Sequence, residues 1–298
     1  MSTEQRPVIT VVGPGAVGGL VAWLLHRAGE DVVAVGRPAT VSAIAANGIE
    51  LRDTGGAAAE RFGTGVERVP ASLDVPEGAS VIVATKTYGL DDVLPGIAAA
   101  RPAEVLSLLN GVEHMGQLRD ALPGVPVAGA SIAVSALRAS PSAIDLRSPW
   151  VRIEVPEPAA GFASVAALTA AGPAVRVRGT EGEVLWGKFR MLASIALLTS
   201  YWRQPVAAAL SEDPELTEAL LSEVVACSNA SGVPATTLQL VETLSGVPGG
   251  MRTSLQEDLA AGAPNELDAL GGALLRIGAA NGIPTPAVER IVSSLSVA

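Results

Sequence analysis

The chain has 298 residues, of which 49% are hydrophobic and 17% charged, with 20 Lys+Arg against 30 Asp+Glu for a formal charge of −10. At about 150 residues per domain this length suits two domains, each able to bury a core without disulfide or metal staples. The acidic balance argues against nucleic acid and anionic membrane surfaces as partners, because both require a clustered excess of Lys and Arg. The single cysteine, Cys227, has no partner for an internal disulfide. It reads as a small buried hydrophobe in a reducing cytoplasm.

A mean hydropathy of +0.40 raises the question of a membrane span, and the uncharged stretch Val8 to Leu25 is the obvious segment to test. Gly13, Pro14, Gly15, Gly18 and Gly19 interrupt it, which a bilayer helix of about twenty apolar residues does not tolerate at its start. Glu4 dilutes the basic region that a signal peptide needs, and no small-residue cleavage site follows. The chain therefore reads as soluble.

Val8 to Val12 is a β-branched run without polar alternation, the pattern of a strand buried on both faces of a parallel sheet. It leads into Gly13-Pro14-Gly15-Ala16-Val17-Gly18, then a helix over Leu20 to Ala28 stopped at Gly29, then a second strand over Asp31 to Val35. A G-x-G-x-x-G string alone is weak evidence. Inside a βαβ unit its glycines have physical jobs: a tight turn, backbone approach to a pyrophosphate, and close packing of helix on sheet. The helix N-terminus then offers free N–H groups and the positive end of its dipole.

After the second strand stand Gly36 and Arg37, with no carboxylate until Glu50. An acidic residue here would accept from the ribose 2′-OH, whereas an Arg accommodates a 2′-phosphate, so this sequence favours NADPH over NADH. The alternative for Arg37 is a plain solvated charge. Ser80 to Thr85 and Val105 to Leu109 repeat the buried-strand pattern and end at Lys86 and at Asn110-Gly111. Residues at the carboxyl ends of parallel strands border the ligand crevice, although Asn-Gly is also an ordinary turn dipeptide. From Val125 to Val177 short β-rich runs, Trp150 to Val155 and Val175 to Arg178 among them, read as later strands closing the sheet.

Composition changes around Gly179-Thr180-Glu181-Gly182, and everything beyond reads as helix: Glu183 to Ser200, Pro214 to Gly232, Thr236 to Leu244, Ser254 to Leu259, and Asn265 to Asn281 stopped by Gly282 and Pro284. The expected architecture is α/β, a Rossmann-type doubly wound sheet over residues 1–178 followed by an all-α domain over 179–298. Within the apolar run Val184 to Phe189, Lys188 either snorkels to water or is buried for a reason. Glu266 reads as a first-turn carboxylate interacting with a helix dipole.

These features together are similar to ketopantoate reductases over nearly the whole chain. The resemblance rests on Gly13-x-Gly15-x-x-Gly18, Arg37, Thr85-Lys86, Leu109-Asn110-Gly111-Val112-Glu113, Leu185-Trp186-x-Lys188, Asn265-Glu266-Leu267-Asp268, and Gly282-Ile283-Pro284-Thr285-Pro286. It implies reduction of a 2-keto acid, ketopantoate to pantoate, by hydride from NADPH. It also implies Lys188 as general acid and Glu266 as the group that positions and polarises the site. Ser254 and Asn110 would touch substrate, and Lys86, Asn110, Arg37 and the run Gly13-Pro14-Gly15-Ala16-Val17-Gly18 would touch cofactor. An ammonium within reach of the carbonyl oxygen both stabilises its growing negative charge and donates the proton.

The chain departs from that pattern one and two turns after Lys188, where the family commonly carries Asn and this sequence has Leu192 and Ala196. Substrate-facing amides replaced by apolar groups disfavour a small polar acid and favour a bulkier or less polar one. Arg190, Arg203 and Arg252 are candidates by type for a substrate carboxylate. His26 and His114 lie in no metal-ligand spacing, so no metal site is expected. Three functions remain in view: the NADPH-dependent 2-keto acid reductase, a same-fold oxidoreductase acting on a less polar ketone, and a non-catalytic NADP-binding protein. Retention of Lys188, Ser254 and Glu266 together speaks against the last. A homodimer is expected, because helical domains of this kind expose apolar faces that need covering.

Overall fold

The computed structural model describes residues 7–55 and 59–296. The N-terminal residues, Glu4 included, lie outside that range. The chain divides into two compact units, one of residues 1–109 and 114–184, the other of 110–113 and 185–298. From the sequence the division was expected between residues 178 and 179.

In the first unit the elements follow in the order β1 (Ile9–Val12), α1 (Ala16–Arg27), β2 (Val32–Val35), α2 (Pro38–Asn47), β3 (Ile49–Asp53), α3 (Ala59–Phe62), β4 (Gly65–Glu67) and β5 (Ala71–Ser72). Then come β6 (Ser80–Val83), α4 (Leu90–Ala99), β7 (Glu104–Ser107), α5 (His114–Ala121), β8 (Val127–Gly129), β9 (Ser131–Ala133) and β10 (Ala136–Ser140). β11 (Ala143–Leu146), β12 (Arg152–Val155), α6 (Ala163–Ala170) and β13 (Ala174–Val177) complete it. The main sheet is parallel throughout, in the order β5-β2-β1-β6-β7-β8. Chain order reverses direction at β1, which pairs Ile9 with Val32 on one side and with Ser80 on the other. That reversal is where open α/β sheets leave a crevice outside the carboxyl ends of their strands.

All four residues of β1 are buried, as a strand covered on both faces requires. α1 begins at Ala16, a turn earlier than the sequence pattern suggested, and Leu20 to Leu25 are all buried, Trp23 completely. A helix this apolar cannot be a surface helix: it packs against β1 and β2, and also against β3, β10 and β11. The late strands do not close the main sheet, as was expected of Val125 to Val177; of these only β8 joins it. β10 and β11 pair with β3 and β4 in a separate sheet of four, and β9, β12 and β13 form a third sheet. The sheet of four covers the part of α1's apolar surface that the main sheet leaves open.

The helical unit takes up the chain within α7 (Glu181–Trp202) and continues through α8 (Val206–Ser211), α9 (Pro214–Ala230), α10 (Thr237–Ser245), α11 (Ser254–Ala260), a π turn over Asp268–Gly272, α12 (Ala273–Asn281) and α13 (Pro286–Ser296). Thr180 and Glu183 cap α7 reciprocally, the Glu183 carboxylate accepting from the Thr180 amide at 2.7 Å and the Glu183 amide donating to the Thr180 hydroxyl at 3.2 Å. From Ala193 to Ser200 every residue of α7 is buried, and its apolar side chains join those of α9, α12 and α13 in one core. The expected helix over Asn265 to Asn281 is instead a π turn followed by α12, and α8 and α13 were not read from the sequence. The left-handed conformation of Gly282, at φ +67°, ends α12.

α13 has a cap drawn from far along the chain. The buried Glu223 carboxylate of α9 accepts from the amides of Ala287 and Val288 at 2.8 and 2.9 Å. Hydrogen bonds of this charged type contribute about 1.5–3 kcal/mol, so Glu223→Ala is expected to destabilise the protein by about 3 kcal/mol in urea unfolding, well beyond a typical surface change.

Candidate active site

The glycine-rich turn is built so that its glycines serve different ends. Gly13, at φ +89°, lies where a side chain would strike the backbone of Thr85, and a Cβ on Gly18 would strike the carbonyl of Gly13. Both are close-packing glycines. Gly15 is different: its nearest neighbour in the direction of a Cβ is the Gly13 carbonyl at 4.0 Å, so it faces open space. Gly15 also caps α1, whose first turn has no acidic residue and no side-chain cap. The amides of Ala16 and Val17, which have no partner within a helix, are thereby left for an anion from outside. Pro14 packs against the position of Gly36 at the end of β2.

Arg37 follows as the cap of α2, exposed, with a 3.4 Å contact to the equally exposed Asp92. A solvated ion pair of this length contributes little and yields readily to a phosphate. Lys86 caps the short 3-10 turn Thr87–Gly89 after β6. The open glycine and the free helix amides fit the pyrophosphate of a dinucleotide.

In the helical unit the structure brings three of the expected residues into contact. Lys188 Nζ donates to Asn110 Oδ1 at 2.8 Å, and Asn110 Nδ2 donates to Glu266 Oε2 at 3.1 Å. The amide therefore points its oxygen at the ammonium and its NH₂ at the carboxylate, the orientation that satisfies both. Lys188 stands on α7 among Leu185, Trp186 and Phe189, the last two in edge-to-face contact with ring centroids 5.1 Å apart. Burial pushes the ammonium down from its ordinary value to about 8, against the opposing pull of the Glu266 charge. Glu266 is itself only 4% exposed and lies two residues before the π turn, a distortion that recurs at functional sites.

The other expected site residues are placed otherwise. Ser254 is exposed at the first position of α11, with no hydrogen bond to this trio among the described residues. Leu192 is partly buried against the helical core and Ala196 lies within it at 1% exposure. Arg190 donates to the Ser228 hydroxyl at 2.7 Å and to the Val233 carbonyl at 3.5 Å, which commits it to the end of α9. Arg203 and Arg252 are exposed, and His26 pairs with Glu67 at 2.8 Å. Among the described residues no cluster suits a metal ion, and no helix is long and apolar enough to cross a membrane. One sequence signal for the site went unread: of the 20 Lys+Arg residues only Lys86 and Lys188 are lysine. A lysine differs from an arginine in being a compact donor whose charge titrates when buried, which marks both positions for inspection.

A parallel sheet reversing at a glycine-rich turn, together with a helical unit carrying a partly buried ammonium, defines a dinucleotide-dependent oxidoreductase that binds a nicotinamide cofactor. Comparison with known proteins specifies the family. The model for "Ketopantoate reductase PanE/ApbA" matches residues 9–159 and that for its C-terminal domain matches 183–297. The chain belongs to the ketopantoate reductase family. It is 30% identical to a 2-dehydropantoate 2-reductase of Caulobacter vibrioides over 97% of this chain and 98% of that one. A counterpart from Mycobacterium tuberculosis is 28% identical over 97% of each. Among solved structures, a PanE/ApbA family ketopantoate reductase from Ralstonia eutropha superposes with a TM-score of 0.86 at 26% identity, covering 97% of both chains. A D-mandelate dehydrogenase bound to NADH and anilino(oxo)acetate shares the fold, with a TM-score of 0.84 at 18% identity.

The two kinds of glycine separate in a binding experiment. Gly15→Val is expected to weaken dinucleotide binding at least about a hundredfold, roughly 2.7 kcal/mol, with the melting temperature little changed. Gly13→Ala, forced to positive φ against Thr85, is expected to lower the melting temperature itself. Calorimetric titration and thermal unfolding of the two variants check this.

Proposed function

We propose that the protein reduces ketopantoate to pantoate with NADPH, and that Lys188 is the general acid. The observation that carries the reading is the 2.8 Å hydrogen bond from Lys188 Nζ to an Asn110 amide that is itself held by the buried Glu266. The bound cofactor supplies a hydride to the carbonyl carbon. As negative charge grows on the carbonyl oxygen, Lys188 offers it an N–H not taken by Asn110, and the proton passes from Nζ to the alkoxide. The neutral amine then regains a proton from solvent. With a pKa of about 8 the ammonium is about nine-tenths charged at pH 7, yet acidic enough to give up its proton. Asn110 fixes the ammonium's direction, and Glu266 keeps it from losing charge altogether.

The preference for NADPH rests on Arg37 and on the absence of a carboxylate between it and Glu50. The dinucleotide falls to residues 1–178, with Gly13 to Gly18, Arg37, Lys86 and Asn110 in contact, and substrate binding and dimerisation to 179–298, with Ser254 near the substrate. The exposed Leu238 and Val241 of α10 support a homodimer, and the lone buried Cys227 suits the cytoplasm. A second reading, a bulkier or less polar ketone as substrate, is favoured by Leu192 and Ala196, which put apolar side chains one and two turns after Lys188.

Turnover of ketopantoate beside a panel of bulkier 2-keto acids, read as NADPH oxidation with NADH as control, separates the two substrates. Lys188→Ala is expected to lower kcat by about 10²–10⁴ while NADPH binding stays near normal. Unimpaired turnover overturns the assignment of the acid. In the unchanged protein kcat is expected to fall as pH rises through about 8, because the acid must be protonated to act. Arg37→Ala is expected to weaken NADPH about tenfold and NADH hardly at all, by titration of each cofactor.

A further inference from the structure

The trio around Lys188 is assembled from distant parts of the chain. Asn110 and Glu266 are 156 residues apart, and each sits on irregular backbone where no helix or strand enforces its position. Asn110 opens the segment 110–113, whose Gly111 has φ +93° and whose Val112 packs on the helical core. Glu266 precedes the π turn. A 2.8 Å hydrogen bond to an ammonium demands that both backbones be held to within a few tenths of an ångström.

One side chain holds both. Arg276 of α12 donates from Nε to both Glu113 carboxylate oxygens, at 3.2 and 3.1 Å, and from Nη2 to Glu113 Oε2 at 2.7 Å. It also donates from Nη1 to Asp268 Oδ1 at 2.7 Å, and from Nη2 to the Asp268 carbonyl and Oδ2 at 3.1 and 3.2 Å. Glu113 ends the segment that Asn110 begins, and Asp268 lies two residues past Glu266. Gly272 makes room for the clamp, since a Cβ there would meet Asp268 Oδ1 and Arg276 Nη1. The planar guanidinium suits this use: its donors form a rigid fork that engages two carboxylates at once, which a lysine cannot do.

We propose that Arg276 is a positioning residue of the active site, clamping the segments that carry Asn110 and Glu266 so that the amide stays aligned on Lys188. It acts through Asn110 and touches neither substrate nor cofactor. Surface ion pairs are ordinarily weak, but one that joins three charges and a carbonyl fixes geometry in a way an isolated pair does not.

The kinetic part of the test rests on the proposed reductase activity. Arg276→Ala is expected to lower kcat about tenfold with the KM for NADPH unchanged, and Arg276→Lys to fall between it and the unchanged protein. In an Asn110→Ala background the same change is expected to alter kcat less than about twofold, because the group it positions is gone. Equal loss in both backgrounds, or no loss in either, overturns the proposal. A second readout needs no substrate. With only Lys86 and Lys188 present, ¹⁵N-lysine labelling leaves two side-chain signals, assigned by Lys86→Arg. In the Arg276→Ala protein the Lys188 titration midpoint is expected to fall by half a unit or more, as its acceptor and counter-charge withdraw. An unchanged or raised midpoint overturns the proposal, even where no keto acid of the panel is reduced.

Discussion

The proposed active site depends on a largely enclosed ammonium that has to stay charged at neutral pH and still be a usable acid. Burial alone drives a lysine toward neutrality, and a carboxylate in direct contact would drive it the other way while occupying its donors. The structure interposes the Asn110 amide. Glu266 then acts on Lys188 through space and through a polarised amide, and among the described residues one ammonium N–H is spent on the protein, at 2.8 Å. The opposed influences leave the pKa at about 8. In the proposed reaction an acid with that value is protonated when substrate arrives and releases its proton to an alkoxide without a large penalty.

The rest of the helical unit serves that placement. α7 is buried on every side from Ala193 to Ser200, which anchors the helix so that Lys188, just over a turn earlier, has a fixed origin. The π turn between Glu266 and α12 lets the carboxylate face Asn110 while α12 still packs its own apolar face into the core. In the other unit the equivalent constraint is the reversal of strand order at β1. Gly13 and Gly18 press the turn against β6 and against itself, and Gly15 remains open above the first amides of α1. In the proposed function one unit supplies fixed dipoles for an anion and the other a fixed proton donor.

What the sequence made legible was what is local. The first strand, the glycine turn, α1 and β2 lie within thirty residues, and each carries its own signal: β-branching, glycine spacing, apolar periodicity. The strands after Val125 have the same local pattern whether they join the main sheet or another, so their partners were misjudged. β3 sits early in the chain and pairs with β11, and nothing in either segment names the other. α13 escaped notice because its cap is the Glu223 carboxylate of α9 rather than a residue of its own. Lys188, Asn110 and Glu266 were each visible through resemblance, but the order in which they touch was not, because an amide bridge between residues so far apart leaves no spacing to read. The scarcity of lysine was legible throughout.

The apolar turns after Lys188 bear on what the enzyme discriminates. Ala196 is sealed into the core and Leu192 is packed partly against it, so neither offers a hydrogen bond to a substrate carboxylate or hydroxyl. Arg190, three-dimensionally the most constrained of the candidate arginines, is committed to Ser228 and Val233. Apolar contacts reject an ill-fitting substrate by only about 1–3 kcal/mol, whereas buried polar groups left unpaired reject one far more strongly. In the proposed reaction Leu192 and Ala196 therefore supply shape rather than hydrogen bonds, which makes the site permissive toward the substrate's side chain and leaves the rate to Lys188 and to the Glu266 carboxylate bridged to it by Asn110.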